Sequence, residues 1–176
     1  MPKVKKIKPL VLLDASNIAM RHGEKKFSTK GIKIVIDFFT SNGHQVLSFL
    51  PEYLFKVRED IKKKNVVPDN IDYLNKLYNQ KLIVQTPADA YDDSFCIQYC
   101  KEKNAFVVTN DLFRDYIEKI NDNRKKESEK MWIQDRRIGF TFHEDEFIPN
   151  PDSLFFAEFN LNEYKQNYKN MKEANI

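Results

Sequence analysis

Glycine is scarce in this chain, with 4 in 176 residues at positions 23, 31, 43 and 139, no two of them neighbours. A phosphate-cradling loop of the P-loop or dinucleotide-binding kind needs clustered glycines, so neither is present and no nucleotide cofactor is expected. Cysteine is scarcer, with Cys96 and Cys100 four residues apart. A structural zinc site wants about four ligands at recognisable spacing, and His22, His44 and His143 are scattered. The two cysteines therefore read as core or half-buried thiols in a reducing, cytoplasmic setting. No apolar run approaches the ~20 residues of a membrane span. The N-terminus, MPKVKKIKPL, has no apolar stretch of signal-peptide length. Charge of one sign is lacking too: 29 Lys and Arg against 26 Asp and Glu leave a net +3, which permits a polyanionic partner without requiring one.

What is present is globular. Hydrophobic residues are 41% of the chain and aromatics 13%, enough for one domain with its own core. Residues 1–9 carry Lys3, Lys5, Lys6 and Lys8 with no acid, as in a solvated tail, a phosphate-binding arm or a localisation signal. The body of the domain is read as 10–150, and 151–176 as a last helix or a tail.

Within the body, short apolar runs alternate with amphipathic stretches. Val11–Leu13, Gln45–Leu50, Leu82–Val84 and Ala105–Val108 look like strands buried on both faces. Helices are expected over 29–40, 52–64, from Asn70 with Ile71, Leu74, Leu77 and Tyr78 as its stripe, from Asp92 and Asp93, and from Asp111 through Ile120. The stretch 121–130 is charged and exposed, and Ile138–Phe142 alternates like an edge strand. Such alternation is the signature of an α/β domain with a mostly parallel central sheet, because parallel neighbours need crossover connections.

In an open parallel sheet the working crevice lies beyond the C-terminal strand ends. Those ends deliver Asp14, then Asp92 and Asp93, then Asp111, with Asp115 one helical turn later. Each alone could be a helix cap or a dipole partner. Together they crowd like charges at one edge, which a hard cation such as Mg²⁺ or Mn²⁺ would relieve. A water-rich cation there suits phosphodiester hydrolysis. Among the histidines, His22 lies near this edge, but no serine, cysteine or second histidine pairs with it as nucleophile and base.

Taken in order, LLDASNIAM, GIKIVIDFFTSNGH, LIVQTP, YDDSF, VVTNDLFRD and RRIGFTFHEDEFIP resemble the NYN branch of the PIN-like nucleases. The likeness is nearest to the Regnase-type ribonuclease domains that accompany CCCH zinc fingers, and it spans about residues 9–150. It implies a three-layer PIN-like fold and metal-dependent endonucleolytic cleavage of single-stranded or stem-loop RNA by attack of a metal-activated water. It also implies that Asp14, Asp93, Asp111 and Asp115 hold Mg²⁺ or Mn²⁺, with Asp92 beside them and Asn17 orienting water or substrate. Two departures stand out. The arginine-rich loop of such relatives is replaced by Ala88-Asp89-Ala90, and no zinc finger follows. Arg21, Lys25, Lys26 and Lys30 are the best-placed substitutes for RNA binding. Arg124-Lys125-Lys126, interleaved with Asp122, Glu127 and Glu129, reads as a solvated face. Phe27 and Tyr91 read as packing, and so do Trp132 and the phenylalanines of 140–147. The alternative reading is an RNA-binding or scaffold module of an RNA decay or silencing assembly, and a homodimer or a decay-protein partner fits the family.

Overall fold

The computed structural model describes residues 6–56, 67–86 and 93–175. Five strands form one sheet in the order β3-β2-β1-β4-β5: β1 (Val11–Asp14), β2 (Val46–Pro51), β3 (Ile83–Thr86), β4 (Phe106–Val108) and β5 (Arg137–Ile138). Every pairing in it is parallel, with Val11 opposite both Val46 and Phe106. A two-stranded antiparallel hairpin, β6 (Phe140–His143) and β7 (Glu146–Pro149), stands beside it.

Alternation along the strands divides the core into two layers. Val11 and Leu13 of β1, with Val46, Leu50 and Val108, face α1 (Ala15–His22), α2 (Thr29–Thr40), α3 (Ile71–Asn79), α7 (Leu154–Glu158) and α8 (Leu161–Ala174). Leu12, Phe49 and Val107 face α4 (Asp93–Glu102), α5 (Arg114–Glu118) and α6 (Asn123–Arg136). Residues past 150 belong to the first layer, where Phe155 and Tyr164 are fully enclosed.

At the N-terminal edge of the sheet a polar chain fastens α8 to the strands. His44 Nδ1–H donates to the Pro9 carbonyl at 2.8 Å, and its Nε2 accepts the Tyr164 hydroxyl at 2.6 Å. Lys8 Nζ in turn donates to the Tyr164 oxygen at 3.0 Å. Burial and the Lys8 charge favour neutral imidazole, so the His44 pKa lies below its ordinary value. That matches the single tautomer the two bonds require.

Several sequence expectations change. The helix expected over 52–64 appears as one 3-10 turn, Glu52–Phe55, and the remainder from 57 lies outside the described residues. Tyr78, placed on the α3 stripe, is exposed. The run Ile138–Phe142 is two elements: Ile138 ends β5, and after Gly139 the chain turns into the hairpin. The break follows from Asn110, whose side chain donates to the Phe140 carbonyl and accepts from the Phe140 N–H, at 2.9 and 3.0 Å. Asp111 does not open a helix, because Phe113 adopts φ +54° and α5 starts only at Arg114. Leu112 is consequently exposed, not part of an apolar stripe. The stretch 121–130 is exposed as expected, and from Asn123 it is part of α6, of whose fourteen residues Ile133 is the one buried. Helix α1 was not anticipated.

Candidate active site

The crevice lies at the C-terminal ends of β1, β3 and β4. Asp14 is the last residue of β1, Asp93 the first of α4, and Asp111 follows β4 by three residues. All three carboxylates line one cavity of about 130 Å³, whose walls include Phe49, Phe113 and Cys96. Asp115 lies one step outside, in an adjoining groove that also touches Asp93 and Asp111. Asp92 and the 88–90 segment lie outside the described residues, as does Tyr91.

Thr109 organises the carboxylates. Its hydroxyl, completely buried, donates to Asp14 Oδ2 at 2.8 Å and accepts the Asp111 N–H at 3.0 Å. The other Asp14 oxygen caps α1 by accepting the Asn17 N–H at 3.4 Å. Asp111 Oδ1 accepts the Phe113 N–H at 2.8 Å, which holds the left-handed turn ahead of α5. Burial raises the Asp14 pKa and the charge of Asp111 adds to the rise, while the Thr109 and Asn17 bonds oppose it. An ionised Asp14 is therefore held against desolvation, a condition a nearby cation would reverse.

Asn17 is engaged through its carbonyl oxygen, which accepts the Asn110 N–H at 2.9 Å. Asn110 thus clamps three segments: α1 through its backbone, the hairpin through its amide, and the β4 end on which it sits. Arg137 reinforces that end by donating to the Thr109 carbonyl at 3.2 Å. Thr109 and Asn110 are not singled out by the sequence, whereas Arg137, which with Arg136 is by sequence a further basic candidate for RNA binding, here holds the Thr109 carbonyl. Thr109 and Asn110 stood inside the VVTND motif, and only their position between two anticipated carboxylates signalled them.

The basic group after β1 divides. Lys30 is bound to Asp145 at 2.6 Å, and Asp145 also accepts from His22 Nε2 at 2.9 Å. With Nε2 as donor, His22 Nδ1 accepts the Ser28 hydroxyl at 2.6 Å, so both ring nitrogens are engaged. Arg21, Lys25 and Lys26 are exposed and form no ion pair with a described residue. Phe27 is buried, as a packing residue should be. Cys100 is buried and Cys96 half-buried, both as free thiols, and burial pushes both pKa values up, that of Cys100 to about 11.

The carboxylates offer the hard oxygen donors that Mg²⁺ or Mn²⁺ prefers. Among the described residues no three such side chains converge closely enough to grip an ion directly. Mg²⁺ commonly keeps several waters, so a set of carboxylates can hold it partly through them.

Residues 8–155 match the model of the Zc3h12a-like ribonuclease NYN domain. The chain belongs to that family. A curated relative, the Caenorhabditis elegans endoribonuclease rege-1, is 30% identical over 152 residues, covering 81% of this chain and 22% of the relative. This NYN domain thus spans about a fifth of that relative's length. Two solved structures of the Arabidopsis thaliana nuclear protein-only RNase P 2 share the fold. One has a TM-score of 0.59 at 16% identity, covering 86% of this chain and 31% of that one. The other has a TM-score of 0.56 at 18% identity, covering 82% and 30%.

Proposed function

We propose that this NYN domain is a divalent-metal-dependent endoribonuclease that cuts single-stranded or stem-loop RNA within RNA turnover in the cytoplasm. The observation that carries the reading is the cavity shared by Asp14, Asp93 and Asp111, in a chain belonging to a family of ribonuclease domains. Asp14, Asp93, Asp111 and Asp115 are the residues that would hold Mg²⁺ or Mn²⁺. Such an ion supplies a water of lowered pKa and neutralises charge building on the phosphate. Thr109 fixes the facing of Asp14 and Asp111, so the negative charge is preorganised before substrate arrives. Phe49 and Phe113 exclude bulk water from the inner side, which strengthens every electrostatic contact there. Arg21, Lys25 and Lys26 are available to phosphates, whereas Lys30 must first leave Asp145.

The test is cleavage of end-labelled single-stranded RNA by wild type and Asp93→Asn, with Mg²⁺, with Mn²⁺ and with EDTA. The proposal expects internal cuts that need metal and fall at least about 100-fold in the variant. Full activity in Asp93→Asn overturns the site. A wild type that binds this RNA without ever cutting it overturns the enzyme and leaves a binding module.

A further inference from the structure

The acidic crevice does not end at the carboxylates. The groove lined by Asp93, Asp111 and Asp115, about 650 Å³, continues past Tyr116 and Ile120. Those same two residues line a second hollow of about 610 Å³ that reaches Arg124 and Lys125 on α6. Lys119 stands on the wall of the first hollow. A trough therefore leads from the site between α5 and α6, with an aromatic ring at its middle and three cations along it.

The charges on this side are sorted in a way the sequence conceals. Of the acids interleaved with the 124–126 run, Glu127 pairs with Lys130 and Glu129 with Lys101. Asp122 is used as the α6 cap, accepting the Arg124 and Lys125 N–H groups at 2.9 and 3.0 Å. Lys126 turns to Glu118. Lys119, Arg124 and Lys125 are left with no ion pair to any described carboxylate. The face is exposed, as composition implies, and although Glu129 also lines the second hollow, Lys119, Arg124 and Lys125 make it locally positive.

The geometry points to this α5–α6 trough as the track for single-stranded RNA flanking the cut, with Lys119, Arg124 and Lys125 contacting phosphates and Tyr116 stacking on a base. This rests on the endoribonuclease reading and deepens it. A single strand is favoured over a duplex because a ring stacking on a base needs that base unpaired. The inference also supplies a grip on RNA in a chain that has Ala88-Asp89-Ala90 where relatives carry an arginine-rich loop.

The test compares wild type with the triple variant Lys119→Gln, Arg124→Gln, Lys125→Gln, all exposed or surface positions. A matched triple on α8, Lys165→Gln, Lys169→Gln, Lys172→Gln, removes equal charge from the other layer. Binding of an unstructured, fluorescently labelled RNA of roughly 20 nucleotides is followed by anisotropy in EDTA across a salt series. Each lost phosphate contact removes about 0.7 from the log–log salt slope, so the trough triple should lose about 2 and the α8 triple none. Under cleavage conditions the trough triple should raise KM about tenfold on that RNA, with a far smaller change in kcat. Tyr116→Leu, which keeps the packing and removes the ring, should weaken binding about tenfold. An unchanged salt slope and KM in the trough triple overturn the inference, as does an equal loss in the α8 triple. If wild type never cuts, the nuclease reading fails separately, because the anisotropy series still decides the track.

Discussion

Thr109 is the residue on which the site turns. Its hydroxyl touches both Asp14 and the Asp111 backbone, and it reaches Asp14 across 95 residues of sequence. Thr109→Val keeps the shape and removes both bonds. We expect a stability loss of about 1–3 kcal/mol in urea unfolding, as for a buried group left unsatisfied. Cleavage should fall by about ten- to a hundredfold, through kcat more than KM. Asp14 itself behaves oppositely: its ionised form is desolvated and repelled by Asp111, so it opposes folding when no cation is bound. Asp14→Asn should therefore melt in EDTA at or above the wild-type temperature while losing cleavage. A clear drop in melting temperature would contradict that account. The carboxylates were legible in the sequence because strand ends are readable from apolar runs, and acids placed there stand out. Thr109 and Asn110 were not, because a polar side chain's worth depends on its partner, and their partners lie on distant segments.

At the scale of elements, β1, β2 and β4 were legible for the same reason they are stable: each is almost wholly buried and reads as a short, nearly continuous apolar run. Helix α1 was missed because it follows Asp14 without a break and is only eight residues long. The fate of 138–142 was missed because the amide of Asn110, not the alternation of 138–142, decides where the strand stops. The attachment of α8 yields the pH dependence. His44 is neutral in the folded chain, with a pKa below the ordinary 6.5 it regains on unfolding. Below that value the unfolded chain takes up more protons, so stability is full above pH 6.5 and declines as pH falls toward the folded pKa. Urea midpoints at pH 7.5 and 5.5 should show that decline. His44→Gln, less stable at pH 7.5, should show a smaller one. Tyr164→Phe, which strands His44 Nε2, should cost about 1–2 kcal/mol at neutral pH.

For the whole molecule, the two helices after residue 150 are core. Phe155 packs its ring on Phe39, Phe106, Phe159 and Tyr164, and Phe38 meets Tyr164 and Tyr168. A chain stopped at residue 150 would leave those faces of α2 and β4 open to water, and we expect it to be insoluble or to lack a cooperative melt. A sharp thermal transition in that truncation would show the C-terminal helices to be dispensable.

The strand order has a consequence during synthesis. β1 precedes all its partners in the chain, yet it occupies the middle of the sheet between β2 and β4. Its second neighbour, Phe106–Val108, is made only about 90 residues after it. Until then Val11, Leu12 and Leu13 have one open hydrogen-bonding edge and only part of their apolar cover. The nascent chain thus carries an adhesive strand throughout that interval, and its yield will depend on elongation speed and on chaperones that shield such segments.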